Sequence, residues 1–157
     1  MTVMDRTQNI NAIRALPDVL EGSIRGLSDA QLDTPYRQGG WTIRQVVHHL
    51  ADSHINAFVR MKLILTEENP ALKPYDQDDW ARLVDSRLPP ASSLAIIRGL
   101  HERWAVLLSA VPETSWGRKG LHPERGVVTL ESMLETYARH GEKHVEQIMG
   151  LRRAKSW

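Results

Sequence analysis

Apolar residues recur at steps of three and four through four long stretches of the chain, and polar segments rich in Gly, Pro and Asp separate them. The first stretch runs roughly from Arg6 to Gly26, with Ile10, Ile13, Leu16, Leu20, Ile24 and Leu27 on the stripe. Pro17 falls inside it, where a missing N–H predicts a kink or a split into two helices. A turn-rich link, Ser28 to Gly40, leads to Thr42, a helix-capping residue type, and a second helix is expected from Thr42 to Glu68, stopping ahead of Pro70. The charged link Asn69 to Pro89 has room for one short helix around Asp78 to Asp85. A third helix starts near Ala91 or Ser92 and runs to Ala110, burying Leu94, Ile97, Leu100 or His101, Trp104 and Leu108. Val111 to Val128 reads as an irregular connection, and the fourth helix runs from Thr129 to about Arg153. Four helices of about twenty residues, each ~30 Å long, predict an all-α four-helix bundle built as one domain over residues 1–157.

The fourth helix carries the first chemical signal. His140 and His144 stand four apart, one turn above the other, on the face that also holds Leu134, Tyr137, Gly141, Val145 and Ile148. Both rings therefore point into the bundle. Burial disfavours their charged forms, and each neutral ring keeps an acceptor nitrogen that needs a donor or a cation. One divalent ion would satisfy both; two separately hydrogen-bonded core histidines are the alternative. Gly141, beside His140, is expected to leave room near such a site. Glu142 lies about 160° round the helix from His140 and faces away, so the pattern is not that of the zinc proteases.

Composition narrows the chemistry further. Of 157 residues none is Cys, which removes disulfides, thiolate metal sites and a protein-borne thiol nucleophile, while seven are His. A formal charge of +1 offers no global attraction to nucleic acid or an anionic membrane. No stretch approaches the ~18 apolar residues of a membrane span, and Met1 to Asn11 has no apolar signal core, so a cytoplasmic protein is expected.

A third ligand would have to come from the second helix. His54 lies nearest the centre of its apolar arc; His49 lies at the border, aligned with Ser53, Asn56 and Arg60 on a polar stripe suited to a cleft; His48 looks outward. Spacing leaves His49 and His54 level. Arg60 is placed to hold an anionic substrate group, to pair with an acid or to cap a loop. His122, in the connection before the fourth helix, is a candidate proton donor or substrate contact, although an exposed loop residue is the simpler expectation. Trp41, Trp80 and Trp104 read as packing residues, with Trp80 the one near a cleft rim, and His101 as a packed histidine.

The run from Gly39 through Trp41, Arg44, His48, His49 and Asp52 to His54, with Leu32 to Arg37 upstream, resembles the YfiT group of the DinB superfamily. Lys73 to Asp76, His122–Pro123 and Tyr137-x-x-His140-x-x-x-His144 follow in the matching order, so the resemblance covers nearly the whole chain. It implies a four-helix bundle with one divalent metal ion per chain, zinc or nickel, held by His49, His140 and His144. It also implies a homodimer, although the chain starts closer to its first helix than members of that group do, and it lacks some histidines that relatives add near Glu142, Lys143 and Gln147. A metal with open positions activates a bound thiol or water. The resemblance puts thiol transfer first, with a bacillithiol-type low-molecular-weight thiol delivered to an electrophile. A metal-dependent hydrolase comes second, and a non-catalytic metal-binding module third.

Overall fold

The computed structural model describes residues 3–157, with side chains from Asp5 onward; Met1 and Thr2, part of the stretch read for a signal core, lie outside the described residues. Four long helices form the expected bundle: α1 (Val3–Ile24), α3 (Ile43–Thr66), α5 (Ala91–Ser109) and α6 (Leu130–Lys155). Helix α1 packs against α5 and α6, and α3 packs against the same two, so α1 and α3 stand diagonally although they are consecutive long helices. No helix among the described residues is long and apolar enough to cross a membrane.

Local chemistry sets the helix ends. Thr42 caps α3 in a reciprocal exchange with Gln45, and Thr129 caps α6 with Ser132. Pro17 neither splits nor ends α1, which continues through it to Ile24. The link after α1 contains a short helix, α2 (Asp29–Leu32), that the apolar pattern was too short to show. The expected helix at 78–85 is two pieces, α4 (Gln77–Ala81) and a 3-10 turn at Val84–Arg87.

The largest correction falls between α5 and α6. Instead of an irregular connection, Lys119–His122 (β1) and Gly126–Thr129 (β2) pair as an antiparallel hairpin with Gly126 at φ +70°. Backbone bonds between Leu72 and Leu121 and between Leu121 and Pro70 tie β1 to the segment after α3. Four-residue strands alternate too briefly to register as a pattern.

The core falls into two apolar clusters. One gathers Ile13, Met61, Trp104, Leu108, Leu130 and Leu134; the other gathers Leu20, Val47, Leu50, Ile97, Ile148 and Leu151. On α3, α5 and α6 the histidines 54, 101 and 140 fall in sequence between the residues of these two clusters, so a belt of imidazoles crosses the middle of the bundle. Helix α6 approaches α1 closely there. A Cβ on Gly141 would lie 2.7 Å from Leu16 Cδ2, so the room this glycine leaves is filled by Leu16 and not by the histidine site.

Candidate metal centre

Helix α3 supplies His49 and helix α6 supplies His140 and His144, and their ligand nitrogens all lie within 4.8 Å of one another. Nε2 of His140 is 3.2 Å from Nε2 of His49 and 3.2 Å from Nε2 of His144. Two nitrogens each ~2.1 Å from a common ion, at angles between octahedral and tetrahedral, would be ~3.0–3.4 Å apart. The spacing fits a single cation.

The protonation pattern points the same way. Burial pushes His49 down to about 3 and His140 to about 2, each lowered further by a neighbouring ring, and burial also lowers His144 against the opposing effect of its bond to Gln147. The rings are neutral at pH 7, so each carries one N–H and one lone pair. His140 Nδ1 lies 3.1 Å from His54 Nε2; His54 Nδ1 lies 2.8 Å from His101 Nε2; His101 Nδ1 lies 2.6 Å from the backbone oxygen of Ile13. A carbonyl only accepts, so His101 donates through Nδ1 and accepts through Nε2. His54 then donates to His101 and accepts from His140. His140 has spent its hydrogen on His54, and its Nε2 is a bare lone pair. That lone pair accepts at most one of the two rings aimed at it, and the other contact sets lone pair against lone pair unless a cation lies between. On the far side His144 Nδ1 donates to Gln147 Oε1 at 2.8 Å, which leaves its own Nε2 bare as well.

The chain of imidazoles explains Pro17. An α-helix offers the N–H of residue 17 to the oxygen of residue 13, and proline has none. The Ile13 oxygen is thereby released to accept from His101. Both intermediate histidines are wholly buried. Burial holds His54 well below the ordinary imidazole range and takes His101 down to about 4 despite its bond to Ile13. His54 thus stands behind His140, outside the converging trio, and His101 is packed as expected.

Around the trio several residues depart from expectation. Trp41, read as packing, sits 4.5 Å from the His49 ring and 6.4 Å from that of His144, and its Nε1 donates to Asp78 at 3.0 Å, so it walls the site. Nothing in the pattern marked it, since it precedes the helix cap. His48, read as outward, is buried between Ser93 Oγ at 2.7 Å and the Leu88 oxygen at 2.8 Å, because α3 meets α5 and the 84–87 turn on that side. Trp104 is fully buried, and Trp80 is exposed with its ring 4.4 Å from Tyr75.

His140 also lines a polar cavity of about 360 Å³, together with Arg60, Tyr75, His122, Arg125 and Tyr137. His122 is buried there, contrary to the expected exposed loop position, because the hairpin turns its end into the cleft. Burial and the nearby Arg60 and Arg125 lower its pKa. Its Nδ1 accepts from the Glu124 amide at 3.3 Å. A larger cavity of about 880 Å³ lies around Arg44, Asp29 and Asp33 and contains none of the histidines.

Comparison with known proteins agrees with this architecture. A relative from Oceanobacillus iheyensis, named "Putative metal-dependent hydrolase OB0782", is 48% identical over 94% of this chain and 86% of its own. The protein of Bacillus subtilis named "Putative metal-dependent hydrolase YfiT" is 45% identical over 94% of this chain and 84% of its own. The solved structure of YfiT, a four-helix bundle of unusual topology, superposes at a TM-score of 0.97, covering 100% of this chain and 91% of that one at 42% identity. A mycothiol-dependent maleylpyruvate isomerase shares the fold at a TM-score of 0.73 and 18% identity, over 94% of this chain and 63% of its own. The DinB superfamily model matches residues 12–148, and the chain belongs to that superfamily.

Proposed function

We propose that the chain is a metal-dependent enzyme in which His49, His140 and His144 hold one divalent ion, zinc or nickel, and which transfers a low-molecular-weight thiol of the bacillithiol type to an electrophile. The observation that carries the metal site is the convergence of three neutral imidazoles, with the Nε2 atoms of His49 and His144 each 3.2 Å from that of His140, which also forms part of a cleft wall. Bound there by three neutral ligands, a divalent ion supplies Lewis-acid activation of a nucleophile at neutral pH. Imidazole donors suit both zinc and nickel.

The preference for a thiol over water comes from the resemblance, and the chain's own groups are compatible with it. Among the described residues no carboxylate is hydrogen-bonded to the trio, so no side-chain base stands ready for a water proton. A thiol, with an unperturbed pKa of about 8.5, starts closer to ionisation than water at about 15.7, and a zinc ion that brings bound water to about 7 would activate either one without a side-chain base. His122, neutral and accepting at Nδ1, carries its hydrogen on Nε2 and lines the cleft, where it serves as a substrate contact or donor. Trp41 shields the trio on one side. From the resemblance alone, a single domain over the whole chain acting as a cytoplasmic homodimer completes the proposal.

Hydrolysis is the second reading, favoured by the names of the relatives. The test is turnover of an aryl halide and of an activated ester by zinc- or nickel-loaded protein, with and without added thiol. Turnover that requires both metal and thiol supports transfer. Metal-dependent ester cleavage without thiol supports hydrolysis, and bound metal with neither activity supports a non-catalytic module. Full metal retention by a His49→Ala, His140→Ala, His144→Ala variant would end all three.

A further inference from the structure

Three arginines are buried to the same degree, Arg6, Arg44 and Arg60, each 7–8% exposed. Two of them are neutralised. Arg6 meets Glu113 at 2.7 Å and Glu131 at 3.5 Å; Arg44 meets Asp29 at 2.8 Å and Asp33 at 2.6 Å. Arg60 has no such partner among the described residues. It donates through Nη2 to the backbone oxygen of Lys73, and its Nη1 lies 3.5 Å from Tyr137 Oη, at the limit of a hydrogen bond. Its Nε has no hydrogen-bond partner among the described residues. A guanidinium cannot shed its proton, so a buried one without a counter-charge is an expensive arrangement.

Its position gives the arrangement a use. Arg60 stands in the wall of the 360 Å³ cavity that also reaches His140. The acids on the same wall are engaged or peripheral: Asp76 accepts the amides of Asp78 and Asp79, Asp78 accepts Trp41 Nε1, and Glu124 is exposed. We infer that Arg60 is an oxyanion subsite of the cleft, where a carboxylate or phosphate group of the substrate supplies the missing counter-charge while the rest of the substrate lies beside the three histidines. The planar fork suits either group through two parallel N–H bonds.

The inference rests on the reading of this cleft as a substrate site, and its test does not need the metal. In metal-free protein the Nε–H resonance of Arg60, identified by its loss in Arg60→Gln, is followed by NMR during titration with acetate and, separately, inorganic phosphate, with ionic strength held by chloride. The expected result is a saturable shift with a millimolar Kd for at least one anion, the tighter of the two naming the substrate group. Where Arg60→Gln fails to fold, Arg60→Lys serves, since it keeps the charge but loses the fork. For Arg60→Lys, chemical shifts of the neighbouring Tyr137 and His122 are followed, and affinity should fall about tenfold. No saturable shift, or equal affinity in either variant, overturns the inference. Anion binding that appears only after metal loading also overturns it, because the anion then sits on the metal, while the proposed function survives. Saturable binding at Arg60 in a protein that takes up no metal supports the subsite and removes the metal reading.

Discussion

Pro17→Ala is a test of the imidazole chain at its far end. The substitution gives residue 17 an N–H that competes with His101 Nδ1 for the Ile13 oxygen, now bonded at 2.6 Å. Proline in a helix interior is disfavoured by about 3 kcal/mol relative to alanine, so the change should favour α1 locally. Against that, a displaced buried N–H on His101 costs about 1–3 kcal/mol, and the metal-free protein should end no less stable than the parent. Zinc affinity should move the other way. Loss of a hydrogen-bond partner behind a ligating histidine typically weakens metal binding about 10–100-fold, which is ~1.4–2.8 kcal/mol. His101→Phe should fall at the lower end of that range, because it breaks the chain two links from the metal. Pro17→Ala, which introduces a competitor and leaves the imidazole in place, should weaken binding about 3–10-fold. Competition against a chromophoric chelator at pH 7.5 gives the ratio of dissociation constants directly. Affinities of both variants within about twofold of the parent would refute the reasoning, since the hydrogen-bond direction set at Ile13 would then have no bearing on the lone pair at His140.

Acid stability of the metal-free protein follows from the same rings. His49, His54, His101, His140 and His144 are all depressed in the folded state, three of them to between about 2 and 4, against ~6.5 unfolded. Their contribution is therefore complete above pH ~6.5 and is lost as pH falls toward the folded values, by about 1 kcal/mol per pH unit for each ring. Chemical denaturation from pH 7.5 to 5 should show stability falling by several kcal/mol, and a flat profile would contradict the assignment. Zinc at a hundredfold excess over its Kd should raise stability by about 2.7 kcal/mol in the parent and not in His140→Ala, read as the shift in melting temperature. Gly141→Ala, whose Cβ would meet Leu16 Cδ2 at 2.7 Å, should destabilise by about 1–3 kcal/mol, and Leu16→Ala in the same chain should recover part of that loss in a double-mutant cycle.

The bundle was legible because its signals are long: four stripes of several turns each, caps at Thr42 and Thr129, and the His140–His144 spacing on an apolar face. What stayed hidden depends on partners distant in sequence. The fate of His48 is decided by Ser93 and Leu88, some forty residues away, and a pattern confined to α3 can only read it as outward. His49 and His54 stood level by periodicity because both rings approach His140, one from the side of its Nε2 and the other from Nδ1. The hairpin went unseen for a different reason: its strands are four residues each and are pinned by Pro70 and Leu72 outside it. Pro17 was visible as an anomaly, but its consequence lay on α5.

The placement of the imidazole belt argues that the bundle is shaped by something it must hold. Apolar side chains at 54, 101 and 140 would join the two core clusters into one, and replacing buried polar groups by packed hydrophobes is often neutral or stabilising. The belt is nonetheless complete in its internal bonds, running from the Ile13 oxygen to His140 Nδ1, and it is incomplete at one point only, where the three Nε2 atoms face each other. Arg60 is incomplete in the opposite sense, a buried cation in the cavity wall with no ion-pair partner among the described residues. The two deficits have opposite signs and border one cleft, so a cation at the histidines and an anionic substrate group at the arginine would satisfy both. Neither deficit is relieved by moving the chain, because α3 carries both His49 and Arg60 and is fixed by its packing against α5 and α6. The fold leaves its unmet electrostatic demands at the place where ligands can meet them, and that is the physical ground for reading this cleft as the site of function.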